Sequence, residues 1–221
     1  MEKICNVTDE SLKELVELAA KAGDGTGICP VETAFLIAEK SIQMTCGKGV
    51  MCRDGLRQLY LILDDITNGR GKNEDIELLL ELTAIFKECH ECDLSYTCAD
   101  QIEKLINEHT EDFELHIKRK SCKNLICPGC HTVHIDASKC TGSGECIKVC
   151  PADAIKGGEG LFSVIVQNKC SACNKCIEVC SAGAIKGAGA VKPQGPTEPA
   201  AVGSWGAAAG GAGGGRRRRR G

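Results

Sequence analysis

The sequence has few aromatic residues, no long apolar run and no recognisable leader. Aromatic residues make up 3% of the 221 residues, so a hydrophobic core has to be built from Leu, Ile, Val and Ala. No apolar stretch approaches the roughly 20 residues of a membrane-spanning helix, which argues against a transmembrane segment. No apolar segment follows Met1, so we expect no signal peptide. These absences predict a soluble, cytoplasmic protein.

The charge distribution argues against a nucleic-acid-binding protein. The formal net charge of −3 combines +5 on residues 191–221 with −8 on the rest of the chain. Nucleic-acid-binding domains present a basic face, and an acidic body does not. The run Arg216–Arg220 could touch nucleic acid or anionic lipid. Without interleaved aromatic residues, it is more typical of a non-specific basic tail.

Cysteine, by contrast, is abundant, with 17 residues. An odd number of cysteines in a chain without a leader favours metal ligation over a disulfide framework. We therefore expect a reducing, anaerobic environment. A core with few aromatic residues also benefits when metal binding contributes folding free energy.

One cysteine run has the spacing C-x2-C-x2-C-x3-C, by which bacterial-type ferredoxins hold [4Fe–4S] clusters. Three of its thiolates wrap one cluster and the fourth ligates a second cluster. A second copy of the run lies 30 residues upstream and has Ser143 where the second cysteine belongs. The crossed ligands predict two sites, one formed by Cys150, Cys170, Cys173 and Cys176, and the other by Cys140, Cys146 and Cys180.

The two sites leave different alternatives open. Zinc also binds C-x2-C pairs, but two triplets with crossed fourth cysteines favour iron–sulfur at the complete site. At the other site Ser143 offers an oxygen, which is a poorer ligand than thiolate for this iron. A [3Fe–4S] cluster, a site-differentiated cube with serine or water on one iron, and no cluster at all remain open there.

The arrangement of apolar residues divides the chain into segments. Apolar residues recur at spacings of three and four between residues 9 and 120, which predicts a mainly α-helical bundle over 1–120. A Cys/His-rich connector follows at 121–132, and Cys, Gly and Pro then replace the helical pattern. The repeat predicts a small α+β ferredoxin-like domain over 133–190. The Gly, Ala and Arg composition predicts a disordered tail over 191–221.

The bundle contains a second group of cysteines, in the motif C-G-K-G-x2-C-R-x-G that begins at Cys46. This motif resembles C-G-K-C-x2-C-R-x-G in the C-terminal part of the NADH-binding flavin subunit of complex I. The resemblance is greater to the corresponding subunit of electron-bifurcating iron-only hydrogenases, which also carries a two-cluster ferredoxin domain. It covers roughly residues 26–187.

The resemblance implies a bundle cluster with one ligand missing. Its expected ligands are Cys46, Cys52 and Cys98, and Gly49 replaces the family's second cysteine. Cys92 or Cys89 is the candidate for the missing ligand. The alternative is that this pair binds a separate zinc ion or simply packs.

The resemblance also implies a structural zinc site beside the bundle. Its ligands would be one cysteine before the bundle and a His/Cys group after it. Cys130, His131 and His134 are further candidates. The alternative for the histidine of this group is an ordinary surface position on a charged helix. The implied ligands are Cys29, His116, Cys122 and Cys127.

The family's flavin and NADH sites lie in an N-terminal domain, whereas only about 25 residues precede the matching region here, and no G-x-G-x-x-G loop occurs. We therefore expect an iron–sulfur electron-transfer subunit without an FMN or NADH site. It would serve a larger oxidoreductase complex of the hydrogenase, formate dehydrogenase or NADH-linked type. Its partners would be redox subunits of that complex or a ferredoxin.

Two other functions remain open. One is a redox-sensing, oxygen-sensing or structural adaptor with incomplete clusters. The other is an enzyme whose open iron binds substrate, although no acid or base group beside the cysteine runs supports catalysis.

Overall fold

The computed structural model describes residues 7–23, 27–189, 192–193 and 195–205. The chain forms two compact units, Met1–His131 and Thr132–Gly221. Within the described residues, no helix has both the length and the apolar character that crossing a bilayer requires.

The first unit is helical, as predicted. Its α-helices are α1 (Asp9–Ala20), α2 (Pro30–Met44), α3 (Leu56–Thr67), α4 (Asp75–Cys89), α5 (Asp93–Glu108) and α6 (Thr110–Arg119). A π-helical turn, Met51–Gly55, leads directly into α3, and a 3-10 turn, Pro128–Cys130, follows α6.

Local residue chemistry sets the ends of these helices. The Thr8 side chain caps α1 by accepting a hydrogen bond from the Ser11 amide at 3.3 Å. Pro30 begins α2, where its fixed φ suits the first helical turn. Helices α4 and α6 end at His90 and Lys120, which adopt the left-handed conformation that closes many helices.

The core of the first unit combines aliphatic side chains with thiols. It is built on fully buried residues from most of the helices, among them Leu15, Ile37, Leu59, Leu63, Leu79, Phe86, Ile102 and Phe113. Several cysteines are buried in the same core, namely Cys29, Cys52, Cys98, Cys122, Cys127 and Cys130. The sulfur donors of this unit therefore lie mainly inside the core.

The second unit is a small α+β fold that follows the internal repeat. Its elements are β1 (Thr132–Ile135), α7 (Glu145–Lys148), β2 (Ile155–Gly158), β3 (Leu161–Ile165), α8 (Lys175–Glu178) and β4 (Ile185–Ala188). Strand β1 pairs antiparallel with β4, and β2 pairs antiparallel with β3. Each half of the repeat thus supplies a strand, a short helix and a second strand. The predicted α+β ferredoxin-like fold is confirmed.

A segment after the second cysteine run lies along β3. Leu161 forms an isolated β-bridge with Ala201, and the Phe162 amide donates to the Ala200 carbonyl at 2.9 Å. The Trp205 ring meets the Phe162 ring edge-on at a centroid distance of 6.3 Å. These contacts lie within residues 191–221, over which the composition predicts a disordered tail. The composition contains few strand-forming residues, but the exposed edge of β3 provides backbone partners. Residues 206–221 lie outside the described residues.

Candidate iron–sulfur and metal sites

Three cysteines of the complete run and one cysteine of the upstream copy line a single recess. The recess has a volume of about 310 Å³, which includes space open to solvent. Its apolar walls are Val133, Ile155 and Ile165. Its thiols are those of Cys150, Cys170, Cys173 and Cys176, the set that the crossed-ligand spacing predicts.

The backbone around this recess turns the thiols inward and supports them electrostatically. Ala172 and Asn174 have φ of 52° and 61°, so the chain coils back between successive cysteines. The amides of Ala172 and Ala154 donate to the sulfurs of Cys170 and Cys150, each at 3.4 Å. Such N–H···S bonds stabilise thiolate charge. Four soft donors in an apolar recess fit a [4Fe–4S] cluster.

The second recess has the same construction with fewer sulfurs. It has a volume of about 370 Å³, on the same measure, and is lined by Cys140, Cys146 and Cys180. Ser143 lies in the lining at the position equivalent to Cys173. The structure therefore brings together the three cysteines and the serine that the sequence assigns to this site.

One lining residue of the second recess was missed by the sequence reasoning. Ser163, on β3, is buried, and the Cys146 thiol donates to its Oγ at 3.7 Å. It lies inside the predicted ferredoxin-like domain, but the cysteine spacing does not tell which polar side chain faces a ligand site.

The structure brings only some of the cysteines of the bundle close together. Cys52 lies in the π-helical turn, a feature that is frequent at functional sites. Burial is the main reason that the pKa of Cys92 is raised, and a side-chain hydrogen bond with Cys52 acts in the same direction. Burial also raises the pKa of Cys98 to about 12, and the charge of Cys52 adds to this. Cys46 is exposed just after the end of α2, and Cys89 is exposed at the end of α4.

Glu91 occupies the space that a cysteine at position 49 would need. A Cβ atom on Gly49 would lie 2.6 Å from Glu91 Oε2. This carboxylate accepts hydrogen bonds from the amides of Val50 at 3.1 Å and Met51 at 2.8 Å. Glu91 thus caps the turn that carries Cys52, and the loss of the family's second cysteine accompanies a different local contact.

A third group of donors converges in the first unit. The ligand atoms of Cys29, His116, Cys122 and Cys127 all lie within 4.8 Å of one another, and all four residues are buried. The Cys29 and Cys127 sulfurs are 3.7 Å apart, and His116 Nε2 lies 3.5 Å and 3.3 Å from them. Tetrahedral zinc with Zn–S bonds of about 2.3 Å holds its sulfurs about 3.8 Å apart. The donors therefore fit a closed zinc site.

The imidazole ring of this group is held in the orientation that a metal ligand requires. Its Nδ1 lies 2.7 Å from the Asp112 carbonyl, so Nδ1 carries the proton and Nε2 faces the sulfurs. Burial alone would lower the pKa of His116, but hydrogen bonds with the sulfurs of Cys122 and Cys29 raise it to about 10. The same network holds the pKa of Cys122 below its usual range, chiefly because the Cys127 thiol donates to its sulfur.

The further zinc candidates lie elsewhere. The Cys130 thiol donates to the Ile66 carbonyl at 3.5 Å. His131 Nδ1 pairs with the Cys127 carbonyl at 2.9 Å, and His134 Nε2 pairs with Thr132 Oγ1 at 2.8 Å.

Comparison with known proteins gives one matching region in each of the two units of the chain. Residues 32–116 match the NADH-ubiquinone oxidoreductase-F iron-sulfur binding region, and residues 132–181 match a 4Fe-4S dicluster domain. The chain joins these two iron–sulfur regions. The resemblance inferred from the cysteine motifs is confirmed, and the chain is a 4Fe-4S protein.

One curated relative is the NADP-reducing hydrogenase subunit HndC of Solidesulfovibrio fructosivorans. It is 36% identical over 129 residues, which are 58% of this chain and 26% of HndC. The matching part of the chain thus spans about a quarter of the length of this relative.

The matched ranges separate the candidate sites. The iron–sulfur binding region contains the bundle cysteines, and the dicluster domain contains the cysteines of both recesses. Cys29, Cys122 and Cys127 lie outside both ranges, although His116 is the last residue of the first. The zinc candidate therefore rests on the geometry of its four donors and on the family resemblance seen in the sequence. Neither matched range supports it.

The Glu91 contact leads to a stability prediction. Replacing Glu91 by Ala leaves the Val50 and Met51 amides without their carboxylate acceptor, so we expect the free energy of unfolding to fall by about 1 kcal/mol. Urea unfolding of the metal-loaded protein and hydrogen exchange at these two amides measure the effect. Glu88→Ala, on an exposed position of α4, is the matched control and should shift stability by less than about 0.5 kcal/mol. Equal effects of the two variants would contradict the capping role.

Proposed function

We propose that this chain is an iron–sulfur electron-transfer subunit of a larger oxidoreductase complex. It relays single electrons between redox centres and makes or breaks no substrate bond itself. The observation that carries the proposal is the pair of thiol-lined recesses in the dicluster domain, each completed by a cysteine from the other copy of the repeat. Bound 4Fe–4S clusters supply one-electron redox chemistry.

The crossed ligands are what suit this domain to a relay. Cys150 follows α7 but lines the recess of the downstream run, and Cys180 follows α8 but lines the recess of the upstream run. The helices α7 and α8 also pack against each other. Each centre is thus anchored by both halves of the repeat, so that neither half can move without affecting both centres.

For the bundle, the proposed ligands are Cys46, Cys52 and Cys98, with Cys92 in place of the cysteine missing at Gly49. The side-chain interaction of Cys92 with Cys52 supports this choice, whereas Cys89 is exposed at the end of α4. For the third group we propose a structural zinc ion held by Cys29, His116, Cys122 and Cys127. It ties the segment before α2 to α6 and the segment after it.

The partners follow from surface charge and from the comparisons. HndC is a hydrogenase subunit, which supports partner subunits for this chain as well. We propose a complex of the hydrogenase, formate dehydrogenase or NADH-linked type, with a ferredoxin as a further redox partner. The acidic body suits a basic docking surface, since complementary charge steers the encounter of redox proteins.

Reduced thiolates require a reducing compartment, so we place the protein in the cytoplasm.

The decisive test is metal analysis combined with a redox titration. Anaerobically prepared full-length protein should contain about 11 to 12 iron atoms per chain with matching acid-labile sulfide. Low-temperature EPR should show several signals that appear on reduction at low potential. A protein rich in zinc and silent in EPR after reduction would refute the relay. Clusters that assemble but are lost reversibly in air would favour the sensing adaptor instead.

The bundle ligand set has its own test. Cys92→Ser should remove about three to four iron atoms and one EPR signal, because a site with three cysteines loses another soft donor. Cys89→Ser changes a nearby exposed thiol and should leave both the iron content and the spectrum intact. If Cys92→Ser keeps its full iron content and spectrum, Cys92 is not the replacement ligand.

The zinc assignment is tested in the same way. His116→Ala should reduce tightly bound zinc by about one ion per chain, because a closed site needs four donors. Cobalt substitution in the parent protein should give the absorption of a tetrahedral cysteine–histidine site. Cys130→Ser is the matched control, since this buried thiol bonds the Ile66 carbonyl and lies outside the four-residue group. Unchanged zinc in His116→Ala would contradict the assignment.

A further inference from the structure

Ser163 brings a buried hydroxyl into the second recess. The residue is 1% exposed and lies in the middle of β3. Its Oγ is 3.7 Å from the Cys146 sulfur, and both atoms belong to residues that line the recess of Cys140, Cys146 and Cys180. Among the described residues, the Ser163 hydroxyl has the Cys146 sulfur as its hydrogen-bond partner.

The internal repeat supplies a direct comparison. The two copies are offset by 30 residues, so Cys146 is equivalent to Cys176 and Val133 is equivalent to Ser163. Val133 lines the complete recess, where it packs with Cys176 in an apolar cluster. The two recesses therefore have equivalent strand positions beside equivalent cysteines, with an isopropyl group in one and a hydroxyl in the other.

The neighbouring strand leaves room for this hydroxyl. The pairing of β2 and β3 is irregular between Lys156 and Gly158, and Gly157 lies in that irregularity. A Cβ atom on Gly157 would lie 2.6 Å from Ser163 Oγ and 3.0 Å from Ser163 Cα. A larger residue at position 157 would push Ser163 out of its place, so the glycine keeps the hydroxyl next to Cys146.

The direction of the hydrogen bond depends on the state of the cysteine. The Cys146 thiol donates to Ser163 when it carries its proton. A cysteine that ligates iron is a thiolate and has no proton to donate, so the serine hydroxyl becomes the donor. Hydrogen bonds to the sulfurs are among the factors that set the potential of an iron–sulfur cluster. Reduction adds one electron, and the negative charge it places on the sulfurs strengthens a bond from a neutral donor.

We propose that the Ser163 hydroxyl donates a hydrogen bond to the Cys146 thiolate and thereby raises the reduction potential of the second cluster. Ser163 acts through Cys146 and is a tuning residue, not a ligand. The inference rests on the proposed function, because it requires a cluster at Cys140, Cys146 and Cys180.

The test is an EPR-monitored redox titration of the full-length, cluster-loaded protein. Ser163→Ala removes the hydroxyl without adding bulk and should shift the potential of one cluster to more negative values at unchanged iron content. Ser163→Thr keeps a hydroxyl and should restore most of the parent potential. The signal of the second cluster is recognised as the one that Cys146→Ser alters or removes.

The reciprocal variant is the matched control. Val133→Thr places a hydroxyl beside Cys176, because threonine has nearly the same shape as valine. It should shift the reduction potential of the complete cluster to more positive values and leave the potential of the second cluster unchanged. An unshifted potential in Ser163→Ala, with all clusters present, overturns this inference and leaves the relay intact. Loss of iron in Ser163→Ala would make Ser163 a ligand and also overturns it. A parent protein without a cluster at this site refutes that part of the proposed function as well.

Discussion

The fold depends on the convergence of sulfur atoms that are distant in sequence. Cys29 and Cys127 are 98 residues apart, yet their sulfurs are 3.7 Å apart inside the first unit. Several thiolates cannot share a buried site without a balancing cation, because like charges repel strongly where water is excluded. A cation bound there would link metal binding to folding, since the cation that neutralises the sulfurs would also hold the chain segments together.

This linkage explains why so few aromatic residues suffice. In the second unit the main apolar cluster has only small and aliphatic members around the thiols, such as Val133, Ile155, Ala172 and Ile185. A core of this size buries too little surface to hold a compact unit by itself. The positions next to the strands that other small domains fill with large side chains are occupied here by cysteines. The recesses are thus both the candidate cluster sites and a large share of the interior.

The parts that the sequence predicted correctly are those governed by local spacing. The bundle followed from apolar residues three and four apart, and the α+β fold of the second unit followed from the 30-residue repeat, because equal spacing produces equal local geometry. Glu91 and Ser163 were not foreseen, since each acts on a residue far away in sequence, Glu91 on the amides after Gly49 and Ser163 on Cys146.

The sequence by itself determined the class of cofactor, because C-x2-C-x2-C-x3-C spacing matches the geometry of a cube and the chain's thiols have no other common use in this pattern. It also determined the helical character of the first unit. Only the tertiary structure decided which groups stand in for lost or changed residues. At Gly49 the space belongs to a carboxylate from beyond α4, and beside Cys146 a strand delivers a hydroxyl where the other copy has Val133. Such contacts join residues far apart along the chain, and no periodicity encodes them.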